Sequence, residues 1–410
     1  MSRIAALKKA AIPEDPALRT LSLATLINTF GHGLFLTIEV LYFTFHVGLS
    51  PSRVALGLSI AGGVALIFGV TAGHFADRFG PRDLAALSFI AEGALLIGFI
   101  FIHSFLPFLL LSVAVGVAGA IGQTLRMATI ASFGEGEERV RVRAYTRAIT
   151  NLGIALGTVF SGIALAINTG TAYSTMLVFD SLTFFVAAAV FHRLPYVAPT
   201  ISKGEPFSFI ALKDKKYLTV TMLNGVMSLH FILQSVAIPL WVVKETNAPR
   251  WWVAVIMLIN TIGVIFLQVP ASKGSGEVRN GAKKFERAGF YVAIACLLYA
   301  LSSGVPRIPA CALLVVAMFL HVLGEVESSV GSWSIGFGLA DPKHRGQYQG
   351  VFSLGFGLSG AIGPSFVTAL AIGMGKDGWI ILAVIFILSG MAMRRIVSGS
   401  WIGSQQQIIS

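Results

Sequence analysis

Two glutamates stand inside apolar runs that would ordinarily hold no charge. Glu39 lies in the run 19–46 and Glu325 in the run 308–337, each with a histidine within two turns on the same helical face. Asn28, His32, Phe35 and Glu39 follow steps of four, three and four residues, so as a helix they form one stripe. His321 and Glu325 are four apart, and Ser328 and Ser332 continue their face, while Glu327 points away and reads as a packing acid. His230 and Gln234 repeat the four-residue step in the run 216–243. Such groups suit proton carriage. A charged carboxyl in hydrocarbon costs at least ~2.5–3.5 kcal/mol, and an imidazole titrates at about 6.5. Glu39, Glu325 and Asp180 are the candidate proton carriers; Asp180 is followed by Ser181 and Thr183 in the run 171–192. For each, the alternative is a structural group hydrogen-bonded to a neighbouring helix.

Two more charges belong together. Glu92 and Arg126 each lie about 11 Å from the inner end of their runs at a 1.5 Å rise, which predicts a structural ion pair. Arg126 ends a stripe of Ser112, Gly116, Gly119 and Gln123.

The elements that must position these residues are helices in a bilayer. Of the 410 residues 55% are hydrophobic and 12% charged, against roughly 25% charged in soluble domains. The apolar runs are long enough to cross ~30 Å of hydrocarbon as helices, and lipid obliges each segment to satisfy its own backbone. Twelve spans follow, near 19–46, 51–73, 84–104, 106–132, 143–168 and 171–192, then 216–243, 250–271, 287–304, 308–337, 346–372 and 377–396. The net charge of +11 does not point to nucleic acid, because its placement is topological. With the N-terminus inside, 24 of the 30 Lys and Arg fall on the inner side. Arg53, Lys244, Arg250, Arg307 and Lys376 fall outside, and Arg126 lies within a span. Both termini are expected to be cytoplasmic, and residues 1–18 show no signal-peptide pattern. Cys296 and Cys311, in or beside apolar spans, read as packing residues rather than a disulfide.

The stretch 193–216 is the longest polar interruption and divides the chain into an N-terminal six-helix bundle (1–192), a cytoplasmic linker and a C-terminal bundle (217–410). The halves repeat weakly. His32 and Pro51 match His230 and Pro249 at one offset; Arg139 and Gly157 match Arg345 and Gly363 at another. Parallel repeats of six spans are a recurring transporter plan.

Between spans 2 and 3, Gly73, Asp77, Arg78, Gly80 and Arg82 fill every fixed position of a loop signature. It resembles the inner-loop motif of the major facilitator superfamily, on the expected side of the membrane. The chemistry is legible without the family: glycines permit a tight turn, and Asp77 can accept hydrogen bonds from a helix N-terminus. Arg78 and Arg82 can pair with Glu135, Glu137 or Glu138. The equivalent loop of the second half keeps Arg279, Lys283 and Lys284 but no acid. Span 5 carries Gly153 and Gly157 in a pattern similar to the fifth-helix motif of drug–proton antiporters, with Thr158 where that motif has proline. Span 11 holds the fuller version, Gly360, Gly363 and Pro364. Small residues at this spacing first of all let helices approach. Span 4 departs from the antiporters, having Ser112 where they usually carry a buried arginine; Arg126 is the candidate substitute.

The resemblance implies an all-α integral membrane fold of twelve transmembrane helices in two pseudo-symmetric six-helix bundles around a central cavity. In that fold helices 1, 4, 7 and 10 line the cavity, which makes Asn28, His32, Phe35, Gln123, His230, Gln234 and His321 candidates for substrate contact. The expected function is proton-coupled efflux of a small amphipathic molecule by alternating access, from a monomer in the cell membrane. A proton symporter of a nutrient, or a sugar or metabolite exporter, is the alternative. The expected partners are a small-molecule substrate, protons and lipid; no cofactor, metal or nucleic acid is expected. No phosphate-binding glycine loop with Lys and Ser/Thr is present, and no enzyme constellation is found.

Overall fold

The computed structural model describes residues 15–167, 169–201 and 209–409. Part of the expected linker, and most of the segment 1–18, lie outside these residues. Among the described residues, twelve long helices match the twelve expected spans. They are α1 Pro16–Leu41, α2 Pro51–Phe79, α3 Pro81–Gly98, α4 Phe105–Ala131, α5 Gly136–Ile167 and α6 Gly170–Phe191. After a single turn at Ile210–Lys213 come α7 Lys215–Ile232, α8 Trp252–Ala271, α9 Val278–Leu301, α10 Arg307–Gly338, α11 Arg345–Thr368 and α12 Lys376–Ile409. Among the described residues, nine helices are long and apolar enough to cross a membrane, and α2, bent by 40° after Gly69, makes a tenth. The one extended pairing among them is an isolated bridge between Thr246 and Ser303.

Local chemistry sets the helix starts. Pro16, Pro51 and Pro81 occupy first-turn positions, where a missing N–H costs nothing. Asp15 and Asp214 cap their helices by accepting from Ala17 N at 2.8 Å and Tyr217 N at 2.9 Å. Two helices begin earlier than their apolar runs. α5 starts at Gly136 rather than near 143, with Glu137 and Glu138 in the first turn favoured by the helix dipole. α9 starts at Val278 rather than near 287, its first turns carrying Lys283, Lys284, Glu286 and Arg287. Hydropathy marks the membrane-embedded part of a helix, not its end.

Helix geometry also changes within spans. Tyr42–His46 follows α1 as a π-helical turn, and Leu233–Ala237 does the same after α7, ahead of Ile238–Glu245. Pro239, without an N–H, stands just beyond the second of these turns.

The chain packs as two compact units. The first comprises Met1–Ser132, Tyr145–Phe207 and Pro342–Gly350; the second comprises Phe133–Ala144, Ser208–Asp341 and Val351–Ser410. The units therefore interleave in sequence: the opening segments of α5 and α11 are each counted with the opposite half. In the first unit α5 crosses α1 where Gly153 meets Thr29 and Gly157 meets the Phe30 carbonyl. Ser161 Oγ fixes that crossing by donating to Leu34 O at 2.6 Å. The role of these glycines is close helix approach. An aromatic cluster of Phe35, Phe43, Phe99 and Phe108 fills the same unit, with ring centroids 4.5–6.4 Å apart. In the second unit, Trp241 and Trp379 pack at 5.5 Å, and Trp241 Nε1 donates to Tyr299 O at 2.7 Å. Cys296 is buried and Cys311 partly so, both as free thiols.

Candidate functional site

The loop motif of the first unit is built around Asp77, 4% exposed. Its carboxylate accepts Gly346 N at 2.6 Å and Gln347 N at 3.0 Å, capping the free amides that open α11. The backbone carbonyl of Asp77 accepts Thr200 N at 2.8 Å and Ile201 N at 3.1 Å. His74 Nδ1 and Gln347 Nε2 are 3.0 Å apart, joining α2 to α11 a second time. Gly73 abuts the Gly346 carbonyl, so a side chain there would collide with backbone. Gly80 ends α2 with φ +86°, a conformation that favours glycine. Arg82, expected to pair with an acid after span 4, uses nearer partners: Asp83 at 2.8 Å and Leu194 O at 2.9 Å. Arg78 lies over the Phe79 ring, and Glu138 pairs with Arg141 at 2.8 Å.

The stripe predicted on α1 divides by environment. His32 is exposed, Glu39 is half-buried and Asn28 is buried. Phe35 stacks on Phe99 with centroids 5.8 Å apart, inside the aromatic cluster, so it is a packing residue rather than a neighbour of His32. A helix of 3.6 residues per turn drifts away from a strict four-and-three step, and that drift carries Phe35 into the core.

Glu92 and Arg126 require a correction. Among the described residues no ion pair joins them. Arg126 Nη2 donates to Gln123 Oε1, its neighbour one turn back on α4. The Glu92 carboxylate sits in a notch beside Gly119 and Gly122, its Oε1 3.1 Å from where a Gly119 side chain would begin. The α4 stripe also divides: Ser112 is buried, Gly116 faces the Ala61 carbonyl of α2, Gly119 faces α3 and Gln123 is exposed. Asp180, 1% exposed, lies between α6 and α1 with Oδ1 against Gly31. Thr183 beside it donates to the Asp180 backbone carbonyl at 2.7 Å.

The second unit gathers polar groups from three helices. Glu325 on α10 is 3% exposed, and its Oε2 accepts from Asn260 Nδ2 of α8 at 2.8 Å. His230 Nε2 of α7 lies 3.1 Å from Ser328 Oγ, which donates to Glu325 O at 2.9 Å. The rings of His230 and His321 approach edge to face at 5.4 Å. Both histidines are fully buried. Ser332 Oγ donates to Asn224 Oδ1 at 2.5 Å, extending the cluster one turn inward. Gln234 is half-buried within the π-helical turn. Glu327 faces elsewhere and pairs with Arg287 of α9 at 2.8 Å. Asn224 and Asn260 are absent from the sequence-based candidates, although an amide inside an apolar run is the signal that would have found them. Among the described residues, no group of three or more His, Cys, Asp and Glu is placed to hold a metal ion.

The sequence profile of the Major Facilitator Superfamily matches residues 21–364. The chain belongs to that superfamily, and it is a multi-pass membrane transporter rather than an enzyme. It is similar to the class C tetracycline resistance protein of Escherichia coli, 25% identical over 356 residues, covering 80% of this chain and 83% of the relative. It is also similar to the multidrug resistance protein MdtH of Klebsiella pneumoniae, 22% identical over 381 residues, covering 88% and 90%. The fold is shared with a bacterial homologue of the iron transporter ferroportin in an outward-facing state. That likeness has a TM-score of 0.74 at 13% identity and covers 94% of this chain and 99% of the other.

Proposed function

We propose that this transporter is a proton-coupled exporter of small amphipathic molecules, working by alternating access in the cell membrane. The observation that carries the reading is Glu325, buried in mid-span and held by the amide of Asn260. An amide N–H donates equally well to a carboxylate or to the carbonyl oxygen of a carboxylic acid, so Glu325 keeps its partner through a proton cycle. Glu39, half-buried on α1, is the second carrier, and His32, Gln234 and Gln123 are the polar groups offered to substrate. Relatives described by resistance to tetracycline and to multiple drugs support export over import.

The test is flux in proteoliposomes with an imposed pH gradient, using tetracycline and ethidium as probes. Uptake of either probe into inside-acidic inverted vesicles, abolished by a protonophore, is expected. Flux of both probes that ignores the gradient, or that runs with the protons, would overturn the assignment.

A further inference from the structure

The segment that follows α6 does more than connect. Residues 194–201 lie across the loop motif and touch it at Asp77, Gly80 and Arg82. Leu194 O receives Arg82, Tyr196 lies under the Arg82 guanidinium at 5.4 Å, and Val197 O closes on Gly80. Thr200 and Ile201 then donate their amides to the Asp77 carbonyl. Leu194 is 1% exposed and Ile201 5% exposed, which anchors the strap at both ends.

Thr200 is placed differently from the rest. Its amide holds Asp77 at 2.8 Å, while its hydroxyl donates to Lys343 O at 2.6 Å and stands 3.5 Å from Asp77 Oδ1. Lys343 stands three residues before Gly346, the first of the two amides that the Asp77 carboxylate caps. One exposed residue thus holds Asp77 and the residue just ahead of α11, from the connection that joins the two halves of the sequence. Breaking the contact while Thr200 stays seated would strand the Lys343 carbonyl or the Asp77 carbonyl.

We propose that Thr200 is a positioning residue of the inner gate, and that residues 194–201 form a strap that must release before Asp77 lets go of α11. The proposal rests on the transporter reading, in which this contact opens and closes once per cycle. The strap sets how fast the gate moves and leaves substrate affinity alone.

The experiment compares Thr200→Val, which keeps the shape but removes the donor, with Thr200→Ser, which keeps the donor. Hydrogen exchange at the Gly346 and Gln347 amides is read in the full-length protein. Loss of one hydrogen bond, net about 0.5–1.5 kcal/mol, gives exchange roughly two- to tenfold faster in Thr200→Val and unchanged in Thr200→Ser. In ethidium flux, Thr200→Val should change the turnover rate without changing the half-saturating concentration, and Thr200→Ser should behave as wild type. Ile201→Pro, which deletes the second amide donor, should reproduce the exchange result. Unchanged exchange in both Thr200→Val and Ile201→Pro overturns the strap. Faster exchange with wild-type turnover overturns its part in the cycle. Absence of ethidium flux in wild type while the exchange effect holds would count against the exporter reading, and the strap contact would stand.

Discussion

The Asp77 carboxylate and the Gly346 amide meet at 2.6 Å across 269 residues of chain. Asn at position 77 keeps one carbonyl acceptor but loses the charge and must turn an NH2 group toward one of two backbone donors. A charge-assisted hydrogen bond contributes ~1.5–3 kcal/mol. Asp77→Asn is therefore expected to lower ethidium flux about tenfold while membrane expression stays near wild type. Flux in reconstituted vesicles, normalised to folded protein, measures this. Wild-type flux would reduce the motif to an ordinary turn.

Gly157 offers a packing test. A side chain at Gly157 would begin on the Phe30 carbonyl of α1, so any substitution must displace backbone. Gly162, one and a half turns on, has open space where its side chain would begin. Overpacking costs about 1–3 kcal/mol, more where backbone is the obstacle. Gly157→Leu should lower the thermal stability of the detergent-solubilised protein, and Gly162→Leu should leave it near wild type. Equal melting of the two variants would show that the α1–α5 crossing is not held by this contact.

Helix number, the motif loop and the structural role of Glu327 were legible because each rests on a local rule. Span length follows from bilayer thickness, Asp77 follows from the unpaired amides of a helix start, and Glu327 follows from helical phase. Partners were less legible. Depth along two helices brought Glu92 near Arg126 but could not show that Gly119 and Gly122 open a notch for the carboxylate, or that Gln123 lies within closer reach of the guanidinium. Phe35 shows the limit of a stripe drawn by spacing alone, since a few tens of degrees of phase decide between an exposed face and an aromatic core. The strap at Thr200 was invisible for a different reason. An irregular segment has no periodicity, and its contacts depend on the tertiary position of Lys343.

Topology follows from charge and is open to direct measurement. Lys213 and Lys376 are both exposed, and the positive-inside distribution assigns them to opposite sides. Single cysteines at these positions are expected to differ toward a membrane-impermeant maleimide in intact cells, with Lys376→Cys labelled and Lys213→Cys protected until the cells are opened. The reverse pattern would overturn the cytoplasmic placement of both termini.

The coupling proposal falls on Glu325 and Glu39, and Glu92 is the structural contrast to them. Glu325 is held by a neutral amide, Glu39 is half-buried on α1, and Glu92 rests in a glycine notch. Replacing a carboxylate by its amide keeps size and most hydrogen bonds and removes the proton cycle. In an antiporter, proton and substrate must influence each other's binding, so a carrier without its titratable group still binds and exchanges substrate but cannot drive it uphill. Glu325→Gln is expected to retain downhill ethidium exchange and to lose accumulation against a gradient. Glu39→Gln should show a weaker form of the same split. Glu92→Gln should act on yield rather than coupling, because it puts an amide into the notch that Gly119 and Gly122 open for the carboxylate. Asn260→Leu supplies the internal control: it keeps the Glu325 carboxyl but removes its amide donor, so pH-driven accumulation should persist. Gradient-driven accumulation that survives in both Glu325→Gln and Glu39→Gln would remove these two acids from the coupling path and leave Asp180, buried against Gly31, as the remaining carrier to test.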